Sequence, residues 1–159
     1  MKHLYHYTRA TNLVGILNSG QIHQATAFVN TSREKPVVWL SFHRHWEPTA
    51  TPMLYDFSPL SFEEFAEVET PIRIEVDPEK YRFGWLAFTR LSGCKSRVAK
   101  VLKQTAKKSG ANISQWRISF DAIPSDDWIS IEGFFDGQWK VLPQEMLAKI
   151  AEARPPEPV

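Results

Sequence analysis

Cysteine is almost missing from this chain: Cys94 is the only one in 159 residues, so no intramolecular disulfide can form and a cysteine-built metal site has no support. Long apolar runs are missing too. Nothing approaches the ~18 consecutive apolar residues of a membrane span. Met1-Lys2-His3 leads into polar and aromatic residues, so no secretory signal is expected, and the chain reads as a soluble, cytoplasmic protein. There is no G-x-G-x-x-G and no G-x-x-x-x-G-K-[ST], which leaves a Rossmann dinucleotide site or a P-loop without a sequence basis. Neither sign of charge is in excess: 19 Lys and Arg stand against 18 Asp and Glu, a formal net charge of +1. Attraction of the whole molecule to nucleic acid or membrane is therefore not indicated.

Aromatic residues, by contrast, are plentiful, with six Trp and ten Phe. A buried indole N–H needs a partner, so some of the tryptophans are expected to line a groove. Length and composition suit one globular domain that folds without disulfide or metal, expected over residues 1–153, with RPPEPV at 154–159 as a disordered tail. Charge is uneven along the chain. Lys95 to Arg117 holds seven basic residues and no acid, whereas Asp121 to Asp136 holds Asp121, Asp126, Asp127, Glu132 and Asp136. Such a domain can present opposite signs at two sites.

Patterning gives the elements. Lys2 to Thr8 alternates as a short strand. A helix follows, with Thr11 as N-cap, Leu13, Val14, Ile16 and Leu17 as its apolar stripe, and Gly20 as its stop. Val37 to Phe42 is β-branched and aromatic, a strand. Ser61 with Glu64 is a capping box opening a helix to Val68. Ile72 to Val76 alternates as a strand with one polar face. Phe83 to Thr89 reads as a strand or an irregular aromatic segment. Arg97 to Lys108 is a basic helix with Val98, Val101, Leu102 and Thr105 inward. Trp116 to Phe120 and Trp128 to Phe135 read as strands, Asp136-Gly137 as a hairpin turn into Gln138 to Leu142, and Pro143 as the start of a last helix. Five to seven strands and four helices without β-α-β-α order predict an α+β fold of antiparallel strands, with helices on one side.

The opening strand carries the chemistry. His6, Tyr7 and Thr8 put an imidazole, a phenol and a hydroxyl at a strand end, flat polar groups suited to a ribose or a base. Packing explains the same residues differently, with Tyr5 and Tyr7 on one sheet face and His6 half exposed. Leu4-Tyr5-His6-Tyr7-Thr8, followed by Leu13-Val14, Ile16-Leu17, Gly20 and Ile22, resembles the opening of ADP-ribosyltransferase-type domains, especially the DarT-like bacterial group.

That resemblance implies a split, mostly antiparallel sheet with flanking helices, and NAD as a substrate. His6 would orient NAD, Tyr7 and Thr8 would supply backbone and ring contacts, Arg33 would reach the pyrophosphate, and Ser41 of Val38-Trp39-Leu40-Ser41 would sit beside the nicotinamide. A late carboxylate would stabilise the oxocarbenium-like state as nicotinamide leaves. Glu132 is the candidate, because alternation puts Trp128, Ser130 and Glu132 on one face; Asp127 is its rival, and a solvent-facing Glu132 is the plain alternative. The activity implied is transfer of ADP-ribose to a protein or nucleic-acid acceptor, in the setting of a toxin, a defence system or phage–host conflict.

Other signals are weaker. His43-Arg44-His45 spaces two imidazoles two apart, but the chain fixes no third ligand, and no metal is expected. Lys95, Arg97, Lys100, Lys103 and Lys107 could follow a nucleic-acid backbone, or form an ordinary solvated helix face. Trp46, Trp85 and Trp116 could stack on bases. The second reading of the whole chain is thus a non-catalytic module that binds nucleic acid or a protein through the basic helix at 95–108.

Overall fold

A computed structural model describes residues 2–26, 33–52 and 60–153. The tail expected at 154–159 lies outside the described residues. Eight strands and five α-helices follow one another as β1 (Leu4–Arg9), α1 (Ala10–Ser19), β2 (Gln21–Ile22), β3 (Val38–Ser41), α2 (Phe62–Val68), β4 (Pro71–Val76), α3 (Trp85–Leu91), α4 (Ser96–Ser109), β5 (Trp116–Ser119), β6 (Ile123–Pro124), β7 (Trp128–Phe135), β8 (Gln138–Val141) and α5 (Gln144–Glu152). Six strands form one antiparallel sheet in the order β5-β3-β1-β4-β7-β8, and β2 pairs with β6 separately. The class is α+β.

Local chemistry explains most of these boundaries. Ser61 and Glu64 form the reciprocal capping box that starts α2. Asp136 (φ 54) and Gly137 (φ 74) make the two left-handed positions that a tight β7–β8 turn requires. α1 and α4 end at Gly20 and Gly110. Thr11 is not the N-cap of α1: the helix begins at Ala10, and the Thr11 N–H (2.9 Å) and hydroxyl (2.5 Å) both donate to Glu69 beyond α2. A remote carboxylate has taken over the local cap. Phe83 to Thr89 is strand-like only at Phe83, which bridges Ile118. Its second half is α3, because Trp85 and Phe88, three apart, share a helix face that packs on Trp39 and Trp116.

The helices cover both faces of the sheet, not one. Leu13 and Ile16 of α1 and Leu147 of α5 pack on Leu4, Ile72, Ile74 and Ile131, all buried. On the other face, Phe65 of α2 joins Tyr5, Tyr7 and Trp46, while Phe88 of α3 joins Val37 and Ile118, with Leu102 of α4 against them. Complete burial of one such Leu, Ile or Phe side chain contributes about 1.5–3 kcal/mol. The polar face expected for β4 is therefore covered as well, and Arg73 is only 9% exposed.

The strand joins are unequal. β4 pairs with β1 at six positions, whereas β3 meets β1 at one, Tyr5 opposite Ser41. Beyond it the ladder lapses, although the two strands stay side by side. A register shift at Glu75/Val76 also breaks the alternation expected for β7. Trp128 falls opposite Val76 and packs against the α1/α5 core, away from Ser130 and Glu132, and Ile129 is left 60% exposed.

Gly93 marks a close approach. It sits between α3 and α4 at φ +76, and a Cβ there would lie 2.5 Å from the Arg33 carbonyl oxygen. The segment around Arg33 is thereby fitted against the start of α4, with the Lys35 N–H donating to the Ser92 carbonyl.

Candidate functional site

Register decides which side chains can meet. Residues opposite one another across antiparallel strands share a face. His6 stands opposite Ile74, and Ile74 opposite Ile131, so His6 belongs to the face under α1 and α5. Tyr7 stands opposite Arg73, and Arg73 opposite Glu132, on the other face, where Tyr5 and Ser41 also lie. The structure thus separates His6 from Ser41 and Glu132 by the thickness of the sheet.

His6 lies next to the single Tyr5–Ser41 pair, where the β1–β3 ladder lapses. It is half-buried, and its Nδ1 lies 3.0 Å from the Trp39 carbonyl oxygen. A carbonyl only accepts, so Nδ1 carries the proton and Nε2 is the acceptor in the neutral ring. Burial pushes the His6 pKa below its ordinary value, against a smaller opposing pull from the Trp39 carbonyl. Among the described residues nothing engages Nε2. Thr8 lies on the same face, buried, its Oγ1 accepting from Asn12 Nδ2 at 3.2 Å.

The opposite face holds a closed polar network. The Glu132 carboxylate receives Arg73 Nε at 2.7 Å and Nη2 at 3.2 Å. The Arg73 guanidinium lies over the Tyr5 ring at 4.3 Å and the Trp139 ring at 4.4 Å. Burial opposes its charge, but the hydrogen bonds and charge of Glu132 outweigh that and raise its pKa. Three successive carbonyls of the segment after β3 are each met by a donor from a different strand. The Tyr7 hydroxyl donates to His43, Arg73 Nη1 to Arg44 at 2.7 Å, and Trp139 Nε1 to His45 at 2.9 Å. Ser41 donates to Glu47 Oε2 at 2.7 Å, and Glu47 Oε1 caps the following 3-10 turn, Pro48–Ala50, through Thr49. Every charged group named here has its partner within the protein.

The remaining expected residues are scattered. Asp127 accepts from Lys80 Nζ at 2.6 Å and the Tyr81 hydroxyl at 2.7 Å, which hold its carboxyl below the usual range. It lines an open cleft of about 540 Å³ with Tyr81, Phe83, Phe120 and Asp121. Arg33 is exposed beside Gly93, at the α3–α4 joint. Trp46 and Trp116 are buried in aromatic clusters, and Trp85 packs on Phe88 and Trp116. Lys95, Arg97, Lys100, Lys103 and Lys107 are all exposed. Among the described residues no group of three or more His, Cys, Asp or Glu is placed to hold a metal ion, and no helix is long and apolar enough to cross a membrane.

Sequence reasoning missed Arg73, Trp139 and Glu47. A signal for Arg73 was present: IRIEV and ISIEG each set a charge inside an apolar alternation, and the two strands pair. Comparisons with family models, curated proteins and solved structures found no match.

Proposed function

We propose that this protein binds NAD and transfers ADP-ribose to a protein or nucleic-acid acceptor, as an ADP-ribosyltransferase-type domain with His6 at the centre of its NAD site. The observation that supports this reading is the lapse of the β1–β3 ladder at His6. A neutral imidazole is held there by one nitrogen, and its other nitrogen stands ready to accept from a ribose hydroxyl. Thr8 and Asn12 share that side. In the reaction the ribose C1′–nicotinamide bond breaks, its electron pair leaves with nicotinamide, and an acceptor nucleophile bonds to C1′ and gives up its proton. Ground-state positioning and a carboxylate near the developing positive charge are what a protein adds to such a step.

Binding and turnover are separable in this reading. His6 and Thr8 serve binding. Glu132 can serve turnover only if its pair with Arg73 opens, and Asp127 only if Lys80 and Tyr81 release it. The test is thermal stabilisation by NAD together with nicotinamide release, for the natural chain and for His6→Ala, Glu132→Gln and Asp127→Asn. Stabilisation lost in His6→Ala is expected, and the carboxylate variant that abolishes release names the third residue. No stabilisation and no release in the natural chain would refute the proposal.

A further inference from the structure

α4 breaks two rules of helix stability at once. Its first turn has no acidic residue, and Lys95 at the N-cap with Arg97 just inside puts positive charge at the positive end of the helix dipole. Lys100, Lys103 and Lys107 follow at three- and four-residue spacing, where like charges repel. Lys107 and Lys108 suit the last turn and Glu34 lies near Cys94, but the stretch of chain around the helix supplies no balancing acid. From Lys80 to Phe120 the chain has no acidic residue at all. Among the described residues none of Lys95, Arg97, Lys100, Lys103, Lys107 and Lys108 takes part in an ion pair. All six are exposed.

The seam that docks α4 is narrow. Only Ala106 is fully buried, Val98 and Leu102 are half-buried, and Val101 and Thr105, expected inside, face solvent. A local arrangement that opposes stability and persists is the mark of a site shaped by a ligand. We infer that the outer face of α4 is a docking surface for the phosphodiester backbone of a nucleic acid.

Spacing and orientation favour that polyanion over a lipid surface. Arg97 to Lys108 spans about 16 Å of helix axis. One strand of a duplex carries a phosphate for each ~3.4 Å of duplex axis, so a face of this length laid along that axis meets the charge of about four or five of them. A helix that binds a membrane buries its apolar side in the lipid. Here Val98 and Leu102 of α4 are turned towards Phe88 and Trp39, and outside them a single apolar side chain, Val101, stands among the charges, too little to bury in lipid. The surface reads backbone, not bases, since Trp46 and Trp116 are enclosed in the protein.

This inference is independent of the NAD reading. It is tested by fluorescence anisotropy of the full chain with labelled 20-nucleotide single-stranded DNA, single-stranded RNA and duplex DNA, each at 50–200 mM salt. Phosphatidylserine vesicles form a fourth arm. Oligonucleotide binding should fall about fifty- to hundredfold over that salt range for a single strand. The triple variant Arg97→Gln/Lys100→Gln/Lys103→Gln should bind at least tenfold more weakly, with a salt slope shallower by about 2. Its melting temperature should be unchanged or higher, because repulsion along the helix is relieved, a result that a merely structural role for these residues would not produce. Affinity among the three oligonucleotides then identifies the source of the backbone. Absent or salt-insensitive oligonucleotide binding, equal binding by the variant, or binding to vesicles alone would overturn the inference.

Discussion

Arg73 and Lys103 carry the same charge and meet opposite surroundings. Arg73 is clasped by Glu132, laid between two aromatic rings and tied to a backbone carbonyl, so its charge is spent on holding β1, β4, β7 and β8 to the segment after β3. Lys103 stands in solvent on a helix with no acid near it in the chain. The contrast teaches how to sort charged residues in a protein of open function. A charge whose partners are all inside is part of the architecture. A row of charges with none is available to something outside.

The sharpest way to break this contrast is to remove Arg73. Arg73→Ala strands the Glu132 carboxylate in a largely buried site, and should cost about 3–5 kcal/mol of unfolding free energy by urea titration. Replacing both members, Arg73→Met with Glu132→Leu, should recover most of that loss. A small effect of Arg73→Ala would mean that the network is not structural, and Glu132 would regain standing as a catalytic carboxylate.

Next in size is the anchorage of the basic side. Gly93→Ala must adopt φ +76 and moves the Arg33 carbonyl, so it should destabilise by about 1–3 kcal/mol. His6 gives a pH-dependent test. Its folded pKa lies below the ordinary value, so the folded state prefers the neutral ring. That contribution is complete above about pH 6.5 and is lost as the pH falls through the unfolded value towards the folded one. The melting temperature of the natural chain should therefore drop more between pH 7 and pH 5 than that of His6→Gln. Smallest of all, Lys103→Ala should change stability by no more than about 0.5 kcal/mol while weakening oligonucleotide binding. A marked destabilisation would place Lys103 with Arg73, as architecture.

What could be read from the chain follows the range of the interaction concerned. The capping box at Ser61 and Glu64, the Asp136-Gly137 turn and the helix ends at Gly20 and Gly110 each depend on residues within four positions, and each is where the residues predict it. Phe83 to Thr89 misled because Phe83, Trp85 and Phe88 carry strand propensity, and only packing on Trp39 and Trp116 from distant strands selects the helix. Thr11 misled for a similar reason, since its partner Glu69 is 58 residues away. At the site, His6 could be singled out by its neighbours in the chain. Its separation from Ser41 and Glu132 could not, because that depends on the register of four strands.

The three carbonyls of His43, Arg44 and His45 answer to donors on β1, β4 and β8, and this sets an order of events. The segment is made early, yet its last clasp, the Trp139 indole, comes 94 residues after His45. On a ribosome, Tyr7 and Arg73 emerge early, and the third clasp on the turn after β3 has to wait until nearly the whole domain has emerged. A one-residue slip in any of the three strands would carry its donor to the wrong face. The latch is therefore complete only on a correctly aligned sheet, so all three hydrogen bonds together report the register of β1, β4 and β8.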